Sequence, residues 1–257
     1  MSKPIRFYDF PSKLDRIWSP NLLKTLALTV KPRYTLNYKG IPYEIIHVEL
    51  PDIEALCKSI GAPPTRKKRD GSPKYTVPVI HDPNTGASVS ESFSIAQYLD
   101  KTYPMPDKTV IPPGTEALQQ AFLDAFLEKA ILPLIPLAHS RIVNLMNPAS
   151  AEHHRKETEQ NYGVPFDDIE PKGEECVKSW KKAEDGYGVV DSWLKDARYV
   201  MGEQVSFADF WAAGSVVWIG SLWGEDSEEY KRVCKWHGGR WARLAKDLES
   251  YERPRLA

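Results

Sequence analysis

At 257 residues the chain is long enough for one large domain or two modest ones, and its 42% hydrophobic content supports a packed core rather than disorder. Its 34 basic and 35 acidic residues leave a formal net charge of -1, without the basic excess that nucleic acid or an anionic membrane surface selects. The three cysteines, Cys57, Cys176 and Cys234, are far apart and form no C-x-x-C pair, which argues against a disulfide frame or a cysteine zinc site and fits a reducing, cytoplasmic compartment.

No apolar leader opens the sequence and no run reaches membrane length, so a soluble protein is expected. Residues 5–10 alternate and are rich in β-formers, which predicts a first strand. A loop over 11–18 leads to two helical stretches, 22–31 and 33–39, with Pro32 placed to interrupt them and Gly40 as the stop. A second strand over 43–50, a short helix over 53–60 and a polar loop over 62–74 follow. Strands at 77–81 and 87–90 are joined by Asp82-Pro-Asn-Thr-Gly86, which carries strong turn chemistry, and an amphipathic helix from Phe93 closes the unit. The order β-α-β-α-β-β-α is that of a thioredoxin-like α/β domain over residues 1–104.

Four prolines between Pro104 and Gly114 mark a linker, taken as 105–115. Residues 116–257 read as an all-helical domain. One long apolar-periodic stretch runs over 116–147, bent at Pro133 and Pro136, and a second helix covers 172–196. Ser206-Phe-Ala-Asp209 has the spacing of a capping box opening a third.

The segment Tyr75-Thr-Val-Pro-Val-Ile-His-Asp82 places a proline among β-branched residues. Proline cannot donate to a sheet ladder, so Pro78 belongs at a strand entrance, where a cis Val77–Pro78 bond is an economical arrangement. After the hairpin, Glu91-Ser92 opens directly into a helix; Ser92 is suited to cap it, and the free N–H groups there suit a carboxylate. A proline turn that presents backbone beside an anion-binding helix start fits a peptide-like acidic ligand.

The order strand, Val-Pro-Val, hairpin, Glu-Ser, helix resembles the glutathione site of the glutathione transferase superfamily. The resemblance implies that Val77 and Pro78 take the cysteinyl backbone of glutathione, that Glu91 accepts from the γ-glutamyl ammonium and that Ser92 donates to its carboxylate. It also implies a homodimer, packed through the helix from Phe93 and the apolar side of the helix from Glu116 (Leu118, Phe122, Ala125 and Phe126). Trp18-Ser-Pro-Asn21 and Arg33-Tyr-Thr-Leu-Asn-Tyr-Lys-Gly-Ile-Pro-Tyr43 resemble the serine-type transferases of wood-rotting fungi and the related bacterial β-etherases. By that likeness Ser19 is the catalytic residue: a hydroxyl donor to sulfur plus a helix start would stabilise a thiolate whose free pKa is about 8.5. Tyr8, at the end of the first strand, is the rival thiol donor. The chain departs from the family by an insertion at 22–32, which bears on whether Ser19 is competent. The implied reaction is attack of glutathione thiolate on a hydrophobic aromatic electrophile or aryl ether, as in detoxification; the alternative is a ligandin that holds aromatic compounds with little turnover.

Other motifs carry less. Arg66-Lys-Lys-Arg69 reads as a solvated loop within reach of a glycyl carboxylate, and Gly186-Tyr-Gly188 follows no strand and is no dinucleotide fingerprint. His153-His154 has no companion acid or cysteine at ligand spacing and reads as surface, so no metal is expected. The eight tryptophans read mostly as core.

Overall fold

The computed structural model describes residues 3–11 and 30–252. Two compact units divide the chain: one holds the residues up to Ile111 with Met146–Ser150 and the chain end from Tyr251, the other Pro112–Leu145 and Ala151–Ser250.

The first unit is built on β1 (Ile5–Asp9), α1 (Val30–Lys39), β2 (Tyr43–His47), α2 (Ile53–Ser59), β3 (Arg66–Lys67), β4 (Pro73–Lys74), β5 (Val79–Asp82), β6 (Ala87–Ser90) and α3 (Ser92–Thr102). Its sheet has the order β2-β1-β5-β6, with β1 parallel to β2 and the remaining pairs antiparallel, the thioredoxin-like arrangement that the alternating elements predict. Ile5 and Phe7 on β1, Ile80 on β5, Leu36 on α1, and Ile95 and Leu99 on α3 form one buried cluster. Each such side chain contributes about 1.5–3 kcal/mol relative to exposure.

Three local details differ from the sequence expectation. Pro32 does not separate two helices but lies within the described part of α1. The strand expected at 77–81 begins at Val79, since Pro78 cannot donate to the ladder. The loop expected over 62–74 holds the small antiparallel pair β3–β4.

Two polar anchors fix the elements that carry the candidate site. Asp82, at the hairpin turn, accepts from Tyr98 Oη (2.7 Å) and Tyr103 Oη (2.6 Å), tying the β5–β6 hairpin to α3. Lys39 Nζ lies 2.8 Å from Asp100 Oδ1, and Asp100 Oδ2 accepts from Val110 N (3.0 Å) and Ile111 N (2.8 Å). The lysine side chain is fully buried, so this pair, completed by backbone donors, fixes geometry more than it adds stability.

The second unit is helical: α4 (Glu116–Phe126), α5 (Ile135–Leu145), α6 (Pro148–Tyr162, its first turn in the other unit), α7 (Gly173–Leu194), α8 (Phe207–Trp223), α9 (Glu228–Lys235) and α10 (Arg240–Leu248). The long stretch expected over 116–147 is split between α4 and α5 by a π turn at Leu127–Ile131 and a 3-10 turn at Leu132–Leu134. Pro133 explains the break, because it has no N–H to offer the carbonyl four residues earlier, that of Lys129. Phe126, expected on an outward apolar face, is instead fully buried, with Tyr187, Trp211 and Trp241 edge-on at 5.1, 5.2 and 6.0 Å.

α6 is the element that sequence reasoning missed. Its inward positions Ser150, His154 and Thr158 recur every four residues and are all fully buried, so its core-facing stripe is polar. His154 therefore does not lie on the surface. It faces His139 across 3.4 Å (Nε2 to Nδ1), and His139 Nε2 lies 3.3 Å from Tyr162 Oη.

Candidate functional site

Val77 and Pro78 stand between the β3–β4 loop and β5, and the peptide bond joining them is cis. Val77 is buried, yet among the described residues neither its N–H nor its C=O takes a hydrogen-bond partner. Buried backbone groups are nearly always paired, so this N–H and C=O, unpaired among the described residues, are the kind of groups an extended peptide-like ligand would satisfy. Tyr8 is opposite Val79, one residue beyond the proline, and is a buried strand residue.

Glu91 adopts φ 77°, ψ 133°, a conformation rarely taken by a residue with a Cβ. This bend brings its carboxylate over the start of α3: Oε2 accepts from Phe93 N (3.1 Å) and Ser94 N (3.2 Å), and Oε1 accepts from Ser92 Oγ (3.1 Å). Glu91 rather than Ser92 is thus the cap of α3. Ser92 is already the first helical residue, one position too far along for its short side chain to do that work. Capping leaves Glu91 as a fixed carboxylate, and its lone pairs exceed the three donors it meets, so it can still accept from an ammonium. Ser92 Oγ would have to turn away from Glu91 to serve an incoming carboxylate.

Val77, Pro78, Glu91 and Ser92 all belong to the first unit and follow one another along β5, β6 and the start of α3. Ser19 lies outside the described residues, as does residue range 22–29 of the insertion. Of the basic cluster, Arg66 and Lys67 form β3, and Lys68 pairs with Glu54 at 3.3 Å. Cys57 is no alternative nucleophile, because burial pushes its thiol up to about 11. Among the described residues no group of three or more His, Cys, Asp or Glu side chains could hold a metal, and no helix is long and apolar enough to cross a membrane.

In the helical unit the capping box opening α8 is complete: Ser206 N and Oγ donate to Asp209 Oδ2 at 2.8 and 2.7 Å, and Val200 N donates to Oδ1 at 2.8 Å. Desolvation outweighs these bonds and raises the Asp209 carboxyl to about 6. Gln119 Oε1 receives Ala208 N at 3.2 Å, adding a second acceptor at the same helix start.

Residues 117–251 match the family model for the glutathione S-transferase C-terminal domain, and residues 28–102 that for the N-terminal domain. The chain belongs to the glutathione S-transferase family. Among solved transferases, CsGST63524 of Ceriporiopsis subvermispora in complex with glutathione is 43% identical, with a TM-score of 0.90 over 99% of this chain and 100% of that one. GSTFuA3 of Phanerochaete chrysosporium is 37% identical, with a TM-score of 0.90 over the whole of both chains. The glutathione S-transferase-like protein ustS of Aspergillus flavus is 30% identical over 185 residues, a match spanning 68% of this chain but 63% of that protein. The transferase fold is shared along the chain, so the thioredoxin-like and helical architecture expected from the sequence holds.

Proposed function

We infer that the chain binds glutathione at Val77, Pro78, Glu91 and Ser92 and activates its thiol for attack on hydrophobic aromatic electrophiles or aryl ethers, the sulfur forming a thioether to the attacked carbon as the leaving group or aryloxide departs. The observation that carries the reading is the Val77 backbone, buried and with no hydrogen-bond partner for its N–H or C=O among the described residues, followed after the hairpin by the Glu91-capped start of α3. The Val77 groups would pair with the cysteinyl backbone, Glu91 would neutralise the γ-glutamyl ammonium, and Ser92 would turn to its carboxylate. Ser19 is the proposed donor to sulfur, by family likeness of the Trp-Ser-Pro-Asn segment. A relative solved in complex with glutathione supports the choice of cosubstrate. The second reading is a glutathione-binding ligandin for aromatic compounds. It differs in one respect: the thiol pKa of bound glutathione would stay at its free value.

Titration of bound glutathione by thiolate absorbance separates the two. Ser19→Ala should raise the apparent thiol pKa by about one to two units, since a hydrogen bond to a charged group is worth ~1.5–3 kcal/mol. Tyr8→Phe should leave it unchanged. Glu91→Ala should lose retention on immobilised glutathione, because it removes both the ammonium partner and the α3 cap. Undiminished retention in that variant would remove Glu91 from the site, and an unmoved pKa in Ser19→Ala would shift the assignment to Tyr8.

The protein is further read as a cytoplasmic homodimer with a detoxifying role. The helical unit offers an apolar surface for self-association: Leu118 is 71% exposed, one turn from Phe122, and exposed Trp193 meets Phe122 edge-on at 6.5 Å. Sedimentation at micromolar concentration should show a dimer that Leu118→Glu weakens; a monomeric parent chain would defeat this assignment.

A further inference from the structure

The chain as a whole carries a formal net charge of -1, yet residues 62–74 hold five basic side chains, Arg66, Lys67, Lys68, Arg69 and Lys74, against one carboxylate, Asp70. Those cations ride on the β3–β4 ribbon, a sheet separate from the four-stranded one. Arg66 stands directly opposite Lys74, and Lys68 N donates to the Ser72 carbonyl at 2.7 Å, which continues the same register. Side chains alternate along a strand, so Arg66, Lys68, Ser72 and Lys74 share one face. Like charges directly opposite one another destabilise a strand pair, and this face sets Arg66 against Lys74. The Arg66 guanidinium takes no partner among the described residues, and Lys68 (3.3 Å) shares Glu54 with Lys58 (2.7 Å).

Ser72 brings a hydroxyl to that face. It is half-buried at the end of the ribbon turn, between exposed Gly71 and exposed Pro73. Its Oγ donates to Asp70 Oδ1 at 2.6 Å, and its N–H donates to the same oxygen at 2.9 Å. A proline restricts the residue before it to extended backbone, the form in which a kinase groove holds a substrate serine. Two residue pairs make a ribbon that is marginal by itself, so it can open into such a groove while the four-stranded sheet stays closed.

We propose that Ser72 is a phosphorylation site for a proline-directed serine kinase, and that the face formed by Arg66, Lys68 and Lys74 receives the phosphate. Ser72 Oγ attacks the γ-phosphorus of a nucleoside triphosphate and forms the new P–O bond. The bond from that phosphorus to the bridging oxygen breaks, the nucleoside diphosphate leaves, and the hydroxyl proton passes to the kinase's base. The product carries about two negative charges and three acceptor oxygens at neutral pH, with Lys68 opposite and Lys74 two positions on. Arg66 adds the paired fork contact that a guanidinium makes with phosphate. Asp70 loses its hydroxyl donor and gains an anionic neighbour, but it is exposed and can turn into solvent. With five basic residues against one acidic, the ribbon's surplus of four positive charges falls to about two, and the opposed Arg66 and Lys74 come to share an anion. The site does not depend on glutathione binding.

The test treats the full chain with an excess of proline-directed kinase and magnesium ATP, and locates the phosphate by tandem mass spectrometry. Ser72 should be modified in the folded chain, and Ser72→Ala and Pro73→Ala should each lose that signal. Phosphorus NMR then reads the second pKa of the phosphate, about 6 in free phosphoserine. In the folded protein at about 0.05 M salt it should lie about 0.5–1 unit below that of a phosphorylated peptide of residues 70–76, the effect of opposite charges that are partly exposed. Arg66→Gln/Lys74→Gln should remove most of that difference. Modification of the peptide but not of the folded chain overturns the site, and modification of Pro73→Ala at the parent's rate overturns the kinase class. A phosphate that titrates in the protein as it does in the peptide, or a shift that survives in the double variant, overturns the cationic cradle.

Discussion

Gly186→Ala is expected to cost the helical unit about 3 kcal/mol or more, although alanine favours a helix over glycine by about 1 kcal/mol. A Cβ built at Gly186 would lie 2.1 Å from the carbonyl oxygen of Lys129, 2.3 Å from its carbon and 2.8 Å from Ala130 N. All three are backbone atoms of the π turn and cannot swing aside. The approach is possible because Pro133 already breaks the helical ladder around the Lys129 carbonyl, and Gly186 lets α7 close onto it. The same contact seats Phe126 against Tyr187, so displacing α7 would also loosen the aromatic core. Gly188 is the contrast: a Cβ there would meet His237 Nε2 at 2.8 Å, the end of a side chain that can give, and Gly188→Ala should cost about 1 kcal/mol. Urea unfolding of both variants checks the pair. Gly186→Ala matching the parent in stability would show that α7 does not close on the π turn as described.

That glycine pair shows what the sequence withheld. Gly186-Tyr-Gly188 could be rejected as a nucleotide fingerprint from its setting, but its actual use, letting a helix approach a backbone carbonyl, depends on residues more than fifty positions away and leaves no local mark. The hairpin was legible because its turn residues and its alternating strands gave the same reading, and the α8 capping box because Ser206 and Asp209 are three apart in the chain. α6 was illegible for a physical reason: apolar periodicity finds helices with a greasy face, and α6 turns Ser150, His154 and Thr158 inward. At the candidate site the order of motifs was readable, whereas the capping role of Glu91 was not, since a positive φ on a glutamate has no sequence signal. Whether the insertion at 22–32 leaves Ser19 in place is a question of chain path, which motif spacing does not fix.

Acidification should test the polar interior of the helical unit. His139 sits beside His154 and Tyr162, with the Glu170 carboxylate acting on it from outside, and desolvation lowers it from 6.5 to about 4. His154 is also held well below its ordinary value, by burial and then by the nearby His139, His153 and Arg155. For both histidines the unfolded chain binds protons that the native state refuses, so their stabilising contribution is complete above about pH 6.5 and is lost on acidification. Asp209 has the opposite sign: with its carboxyl raised from 3.8 to about 6, the native state binds the extra proton, and its contribution grows as the pH falls through that window. His139 and Asp209 each contribute a slope of about 1.4 kcal/mol per pH unit between about pH 4 and 6. His139 and Asp209 therefore nearly cancel, and His154 leaves a net loss towards acid. Removing either partner of that cancellation should expose the other. Asp209→Asn should unfold more steeply with acid than the parent, by about 1.4 kcal/mol per pH unit, besides a pH-independent loss of about 2–3 kcal/mol from the buried donors of Ser206 and Val200. His139→Gln should be shallower than the parent by a similar amount. Urea titrations between about pH 4.5 and 7 read both differences directly. Equal slopes in the three proteins would mean that neither buried group holds the protonation state assigned to it, and that the polar face of α6 is wetter than its burial indicates.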